Sequence, residues 1–299
     1  MSAAPPGPSQ DAWDDPAAAS PAGALTVTRS VNPNLVCGAV LIGAVCTAAL
    51  FSFAWTPTDP LLVDGGARLQ PPSGAHWLGT DRFGRDVLSR LMVGARTTLY
   101  VGVVAVGVAA GVGTPIGVFV GMSSRWVSGA FMRFNDLLLA FPALLLAIMF
   151  GAVFGSSTAT AMVAIGIATI PVFARIARSG TLQVMHTDYV LAARSAGRSR
   201  AAIALRHVLP NIAGLLIVQA SVSFAIAVLA EAALSFLGFG TRPPTPSWGR
   251  MLQEAQEMLA VTPLLAFWPG ASIAVAVLGF NLLGDGLRDR FDPRLDDRR

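Results

Sequence analysis

The sequence contains no lysine, because all 21 of its basic residues are arginine. P-loop ATPases hold phosphates with a lysine and Schiff-base enzymes react through one, so both classes are excluded. Charged residues of any kind are also scarce, at 13 % of the chain, where soluble proteins carry about 25 %. Apolar residues make up 54 % of the chain. This balance favours a protein that lies in a membrane.

Cysteine and histidine are equally sparse. Cys37 and Cys46 lie nine positions apart in one expected helix, and the resulting separation of about 13 Å along the axis excludes a disulfide between them. His76, His186 and His207 all lie outside the apolar segments, and no H-E-x-x-H motif occurs. An intramembrane protease or metal site therefore lacks its ligands. We expect this chain to bind no metal, no cofactor and no nucleic acid.

Asp, Glu, Lys and Arg are absent from five long runs, residues 30–58, 97–124, 137–174, 208–230 and 258–284. Each run exceeds the ~20 residues that cross the hydrocarbon core of a bilayer. Run 137–174 is 38 residues long and contains a turn at 155–157, so it holds two crossings. Because helices satisfy their own backbone groups in lipid, the sequence predicts an all-α membrane protein with six spans, at about 34–55, 97–121, 134–153, 158–175, 212–236 and 265–284.

The segments between the spans differ in composition. Residues 1–33 are rich in proline, alanine and serine, and this composition predicts a disordered tail. Residues 56–96 form a loop whose last part, from Asp86, has the pattern of an interfacial helix. Residues 97–287 form a core of five spans, and this core contains a second turn-rich loop at residues 240–264. Residues 288–299 form a basic tail.

Arginine is distributed unevenly between the two sides of the predicted membrane topology. If the N-terminus is cytoplasmic, the cytoplasmic segments hold 14 of the 21 arginines. Cytoplasmic loops carry an excess of basic residues, so both termini are expected in the cytoplasm. The bias is only two to one, because the loop 56–96 is itself rich in arginine.

Glycine recurs in the second span at intervals of four, at Gly113, Gly117 and Gly121. This spacing lets another helix approach closely. Since glycine is frequent in membrane helices generally, a specific dimer face and an ordinary span are both open.

A charge at the centre of a span would mark an ion or proton path. Glu231 lies ~30 Å from the start of the fifth span, which is the depth of the outer interface. We expect a carboxylate that is solvated or bonded to the outer loop, and a role in a transport path is the alternative. No span carries a central charge, and this disfavours ion-coupled secondary transport.

Segment 186–210 is polar, basic and helical in pattern, although it lies between two apolar spans. Thr187 or Asp188 can cap a first short helix, and Gly197 suits the left-handed position at its end. A second helix places four apolar residues on one face, namely Ala201, Leu205, Val208 and Leu209. Two short helices that meet at a glycine form a compact knob suited to docking. A basic loop that binds lipid headgroups is the alternative.

The segment also resembles the E-A-A-x3-G-x9-I-x-L-P signature of ABC importer permeases, through Ala192, Ala193, Gly197, Leu209 and Pro210. Leu191 replaces the glutamate of that signature and His207 replaces its isoleucine. Three further segments, 79–96, 234–252 and 280–289, resemble the C-type permease subunit of dipeptide and oligopeptide importers. The resemblance covers about residues 34–295.

This resemblance implies a type I ABC importer permease fold and a non-catalytic subunit that forms half of a pathway for dipeptides or oligopeptides across the plasma membrane. The implied partners are a B-type permease, two ATPase subunits that bind ATP and Mg²⁺, and an extracytoplasmic substrate-binding protein. Nickel, haem and glutathione are alternative cargoes within the class. An ATP-independent transporter or channel, and an intramembrane enzyme, are the alternative functions.

The resemblance also assigns roles to residues. Segment 186–210 would form coupling helices seated in a groove of one ATPase, through Asp188, Tyr189, Ala192, Ala193, Gly197, Arg198, Arg200, Arg206, His207, Leu209 and Pro210. In the second loop, Arg242 and Trp248 are expected to contact the binding protein.

Overall fold

A computed structural model describes residues 32–291 of the chain. The predicted tail 1–33 therefore lies outside the described residues except for its last two, and the tail 288–299 is described only to Phe291. Residues 32–291 contain helices and no strand, which confirms the predicted all-α class. The helices are α1 (Pro33–Ala54), α2 (Val87–Gly121), α3 (Arg125–Ala140), α4 (Ala143–Phe154), α5 (Thr158–Met185), α6 (Asp188–Ser195), α7 (Arg200–Ile203), α8 (Leu209–Phe236), α9 (Trp248–Gln256) and α10 (Leu264–Phe291).

Five helices are long and apolar enough to cross a membrane: α1, α2, α5, α10 and the continuous helix Arg200–Phe236, which comprises α7 and α8. Helices α3 and α4 make a sixth span if the pair counts as one, but they are bent by 77°. The break falls at Phe141, which is extended at φ −78° and ψ 127°. Pro142 disfavours a helical conformation at the residue before it. The predicted span 134–153 is therefore two helices.

Two spans begin or end about ten residues beyond the predicted limits. Helix α2 starts at Val87, so the expected interfacial helix is the first part of the second span. Asp86 caps it, since its Oδ2 accepts a hydrogen bond of 2.8 Å from the amide of Ser89. Helix α5 continues to Met185, past the charged residues at which the apolar pattern stops. Of these residues, Arg175 is exposed and Arg178 is partly buried.

The glycines of α2 pack against α5 of the same chain. A Cβ at Gly117 would lie 2.3 Å from the carbonyl oxygen of Ala174, and one at Gly113 would lie 2.6 Å from that of Ile170. Only glycine permits this approach of the two backbones. The close helix contact expected from the spacing is thus intramolecular.

The remaining long helices, α1, α8 and α10, pack side by side, with Phe224 of α8 stacked on Phe280 of α10 at 4.1 Å between ring centroids. The chain has two ends along the helix axes. We call the "α6 end" the one formed by residues 121–125, 185–209 and 286–291, and the "α9 end" the one formed by residues 54–90 and 236–264. These two ends carry most of the polar contacts between distant segments.

Candidate functional site

Helix α6 ends in a hydrogen-bonded glycine turn. Gly197 has φ +75°, and its amide donates to the carbonyl of Arg194 at 2.9 Å while the amide of Arg198 donates to Ala193 at 3.1 Å. This pair of bonds is the Schellman motif, which closes a helix at a left-handed residue. Thr187 occupies the N-cap position, but its hydroxyl donates to the carbonyl of Val184 at 2.7 Å. The expected turn at Gly197 is therefore a fixed structure.

The knob is anchored by buried apolar side chains. Val190, Ile203 and Val208 are at most 1 % exposed, and they pack in one cluster with residues of α2 and α5, including Val118 and Ala177. Burial of each aliphatic side chain contributes about 1.5 to 3 kcal/mol. Helix α6 is thus held in a defined position at the ends of two spans.

The second half of the segment differs from the prediction of a separate short helix. Helices α7 and α8 are joined through a π-helical turn at Ala204–Val208. The wider turn changes which residues face inward, so that Ile203, Val208 and Ile212 are buried. Leu205, expected on one apolar face with Val208, is 65 % exposed, whereas Val208 is buried. Pro210 lies two residues after this turn, inside the continuous helix Arg200–Phe236, so its missing N–H removes one backbone hydrogen bond from that helix.

The surface of the knob combines apolar side chains with positive charge. Tyr189, Leu191 and Leu205 are 45 %, 48 % and 65 % exposed, and the rings of Tyr189 and His207 lie 5.9 Å apart. In the described part of the chain, no ion pair engages the exposed arginines of this surface, which are Arg194, Arg198, Arg200 and Arg206. The surface is suited to a partner with apolar and acidic groups.

The eleven expected coupling residues all lie at the α6 end. Eight are exposed: Asp188, Tyr189, Ala192, Gly197, Arg198, Arg200, Arg206 and Pro210. Three are partly buried: Ala193, His207 and Leu209. The structure brings them into one surface, and their role as coupling residues stays a prediction.

At the α9 end, the expected surface role of Trp248 is wrong. Its side chain is 3 % exposed, and its indole Nε1 donates a hydrogen bond of 3.0 Å to the carbonyl of Leu91. The adjacent Gly249 lets α9 approach α8, because a Cβ there would lie 2.3 Å from the carbonyl oxygen of Ala232. Tryptophan lies here in the core because α9 is amphipathic and turns its apolar face inward. Arg242 is exposed, and its contact with a binding protein stays a prediction.

A buried ion cluster joins the first loop, α2 and α9. Asp81 Oδ2 lies 2.7 Å from both Arg85 Nε and Arg90 Nη1, and Glu254 Oε2 lies 2.6 Å from Arg85 Nη2 and 2.9 Å from Arg90 Nη1. Arg250 completes it through Glu254 Oε1 at 3.2 Å. The side chains of Asp81, Arg85, Arg90 and Glu254 are at most 10 % exposed.

The ion cluster determines the protonation of Glu254. Burial by itself raises the pKa of the Glu254 carboxyl, but the charges of Arg90, Arg85 and Arg250 outweigh burial and hold the pKa below its usual value. Glu254 therefore stays ionised at neutral pH. Local sequence patterns did not predict this cluster, since Arg90 and Glu254 are 164 positions apart. The one signal was the recurrence of acids and arginines in 79–96 and 250–257.

Glu231 belongs to the loop contacts of the α9 end. The residue is 1 % exposed, and its Oε1 accepts hydrogen bonds from Ser235 Oγ at 2.7 Å and Thr241 Oγ1 at 3.3 Å. The Glu231 carboxyl thus joins the loop after α8 to that helix, which agrees with the expectation of a loop-bonded carboxylate. Among residues 32–291, no cluster of three or more histidine, cysteine or acidic side chains could hold a metal ion.

Comparisons with known proteins agree with these features. Residues 113–297 match the model of the family "binding-protein-dependent transport system inner membrane component". The chain is 39 % identical over 264 residues to the dipeptide transport system permease protein DppC of Alkalihalophilus pseudofirmus, covering 88 % of this chain and 87 % of that one. It is 43 % identical over 224 residues to the glutathione transport system permease protein GsiD of Pectobacterium atrosepticum, covering 75 % and 74 %.

The fold is also known from a solved structure. A chain of the MetNI methionine ABC transporter in an inward-facing conformation superposes with a TM-score of 0.54 at 16 % identity, covering 68 % of this chain and 96 % of that one. This likeness shows the type I importer permease fold. The chain belongs to the family of binding-protein-dependent transport system inner membrane components, and it is a multi-pass ABC importer permease.

Proposed function

We propose that this permease carries short peptides and forms half of their translocation pathway. The observation that carries the proposal is the 39 % identity to a dipeptide permease over 88 % of the chain. The glutathione permeases support the same class, because glutathione is a tripeptide. The other half of the pathway is a B-type permease, and an extracytoplasmic binding protein delivers the peptide. Nickel and haem are less favoured cargoes, because the relatives named above are dipeptide and glutathione permeases.

We further propose that segment 186–210 couples the permease to the ATPase subunits, which bind ATP and Mg²⁺. The knob is rigid where it is anchored and exposed where a partner must bind. Its unpaired arginines suit an acidic groove rim, and Leu191 and Leu205 suit an apolar groove floor. Closure of the ATPases on ATP moves the knob and rocks the two permeases. This subunit itself carries out no covalent chemistry.

The arginines support an orientation with the α6 end in the cytoplasm. At the α9 end, four of the arginines (Arg82, Arg85, Arg90 and Arg250) bind carboxylates. These ion pairs explain why arginines lie at the α9 end, which is the extracytoplasmic end in this orientation. The arginines of α6 and α7 have no such role within residues 32–291, and the excess of basic residues on the cytoplasmic side accounts for them. Both termini are then cytoplasmic.

The coupling proposal is tested at Gly197 in the reconstituted importer. Gly197→Pro fixes φ near −65° and removes the amide that bonds to Arg194, so we expect loss of ATPase co-purification and of uptake. Gly197→Asn is the matched control, because asparagine accepts the left-handed region and a Cβ there meets no atom within 4 Å. Membrane insertion should be normal in both variants. Normal uptake by the proline variant would refute the coupling role.

The cargo proposal is tested separately with the binding protein present. Uptake of labelled dipeptide and tripeptide into proteoliposomes is measured with active ATPases and with ATPases that cannot hydrolyse ATP. We expect ATP-dependent uptake of peptide that unlabelled peptide competes away and nickel does not. Equal uptake with inactive ATPases would favour the alternative of an ATP-independent transporter or channel.

A further inference from the structure

A cavity of about 340 Å³ opens at the α6 end, where the turn between α2 and α3 meets the last turns of α5. Ligand sites in proteins have volumes of about 300 to 1,000 Å³. The polar lining consists of Ser123, Arg125, Ser128, Arg178 and His186, and no acidic residue is among the described residues that line the cavity. Two permanent positive charges face a space large enough for a ligand. The charge of this lining therefore favours an anionic ligand.

Arg178 is held in position by the protein itself. Its Nε donates a hydrogen bond of 2.6 Å to Oγ of Ser128, which is 5 % exposed. Its two Nη nitrogens donate to no other described residue. A guanidinium fixed in this way presents a planar pair of donors, the geometry that fits two oxygens of a phosphate.

Further donors surround the same space. Arg125 is the first residue of α3, so the partial positive charge of that helix N-terminus lies beside its side chain. His186 offers a ring N–H in either protonation state. At Gly129, a Cβ would meet nothing within 4 Å, so the wall on the α3 side leaves room for a ligand. The nearest acid of α3, Asp136, is paired with Arg175.

We propose that this cavity binds a phosphate group, carried either by an anionic lipid headgroup or by a soluble phosphorylated compound. The inference is independent of the cargo and of the coupling role. Trp126, next to Arg125, is 90 % exposed, and tryptophan is enriched at the membrane interface. His186 lies two residues before α6, so a bound phosphate lies beside the base of the knob.

The variants are chosen to separate loss of charge from loss of fold. Arg178→Gln removes the fixed guanidinium, and loss of a charged hydrogen bond weakens binding about tenfold or more. Gly129→Leu adds an apolar side chain at the wall of the cavity and leaves every charge in place, so it should hinder the same ligand. Arg133→Gln is the matched control, because Arg133 is an exposed arginine of α3 that does not line the cavity.

Two arms distinguish the source of the phosphate, both with the assembled importer in nanodiscs. In the first, the discs contain phosphatidylcholine with phosphatidylglycerol, and native mass spectrometry counts the phosphatidylglycerol that stays bound. In the second, the discs contain phosphatidylcholine alone, and inorganic phosphate is titrated while thermal stability is recorded. We expect binding in one of the two arms. Arg178→Gln and Gly129→Leu should weaken this binding, and Arg133→Gln should not. If neither arm shows binding, or if all three variants behave alike, the proposal is wrong.

Discussion

The indole Nε1 of Trp248 donates a hydrogen bond of 3.0 Å to the main-chain oxygen of Leu91. The bond joins α9, which follows the fifth span, to the beginning of the second span. Both side chains belong to one apolar cluster with Val45 of α1 and Ile273 of α10. Helix α9 is therefore an integral part of the helix bundle, and the stability of the α9 end depends on it.

Trp248→Phe keeps most of the apolar volume and removes the hydrogen bond. We expect a loss of about 1 kcal/mol in the free energy of unfolding, measured as a lower melting temperature of the purified protein in detergent. Trp126→Phe, at a side chain that is 90 % exposed, should change stability by less than about 0.5 kcal/mol. Equal melting temperatures for the two variants would mean that the Trp248 bond contributes nothing.

Arg90→Gln should be among the most damaging single changes at the α9 end. The side chain is 3 % exposed and binds both Asp81 and Glu254, so its loss leaves two buried carboxylates with less compensation. Breaking a buried pair in this way costs about 3 to 5 kcal/mol. Arg82→Gln is the control, since Arg82 pairs with a carboxylate that is 66 % exposed. This substitution should lower the free energy of unfolding by less than about 1 kcal/mol. Thermal unfolding of both variants decides between these values.

The ion cluster also predicts a pH dependence. The folded-state pKa of Glu254 lies below its usual value, so the stability that its charge contributes is present above the unfolded pKa of about 4.3. That contribution is lost as the pH falls through the lower folded pKa. The difference in melting temperature between the wild type and Glu254→Gln should therefore be greatest near neutral pH and should narrow below about pH 4. Glu257→Gln, at an exposed carboxylate, should show a small difference throughout.

Gly249→Ala should displace α9 from α8. The added methyl group would lie 2.3 Å from the carbonyl oxygen of Ala232, and that oxygen belongs to a helix that cannot move locally. Overpacking of this kind costs about 1 to 3 kcal/mol. Gly74→Ala is the control, because its Cβ would meet nothing within 4 Å. Similar melting temperatures for the two alanine variants would contradict the close contact between α8 and α9.

Leu191→Glu restores the glutamate of the permease signature at a position that is 48 % exposed. The side chain lies on the surface of the knob, so we expect normal folding. If the partner groove accepts the usual glutamate, uptake by the assembled importer should be unchanged. Reduced uptake with normal melting temperature would indicate an ATPase groove that is matched to leucine. Leu205→Glu, on the same surface, controls for the effect of a new charge.

The spans were predictable where their ends have local signals. The first span was expected at 34–55 and is found at Pro33–Ala54, because a proline begins it and its apolar run ends at Trp55. The start of the second span was missed by ten residues, since Arg90 and Arg96 resemble surface residues. Arg90 is buried because Asp81 and Glu254 neutralise it, and Glu254 is far away in sequence. A local pattern contains no information about such a pair.

In the knob, too, local sequence signals predicted one feature and missed another. Gly197 marked the turn, because a left-handed residue at a helix end favours glycine. The apolar face of the following helix was predicted with a period of 3.6 residues as Ala201, Leu205, Val208 and Leu209. The residues buried around the π-helical turn at Ala204–Val208 are instead Ile203, Val208 and Ile212. The wider turn packs against α5, and no local residue pattern predicts it.

The π-helical turn has a mechanical consequence. Because it widens the helix without interrupting it, residues Arg200–Phe236 form one helix of 37 residues, about 55 Å long. In the proposed coupling, tilting this helix at Arg200 would swing its far end, where Glu231 accepts hydrogen bonds from Ser235 and Thr241. A movement of the knob would then reach the loop at the α9 end through one helix.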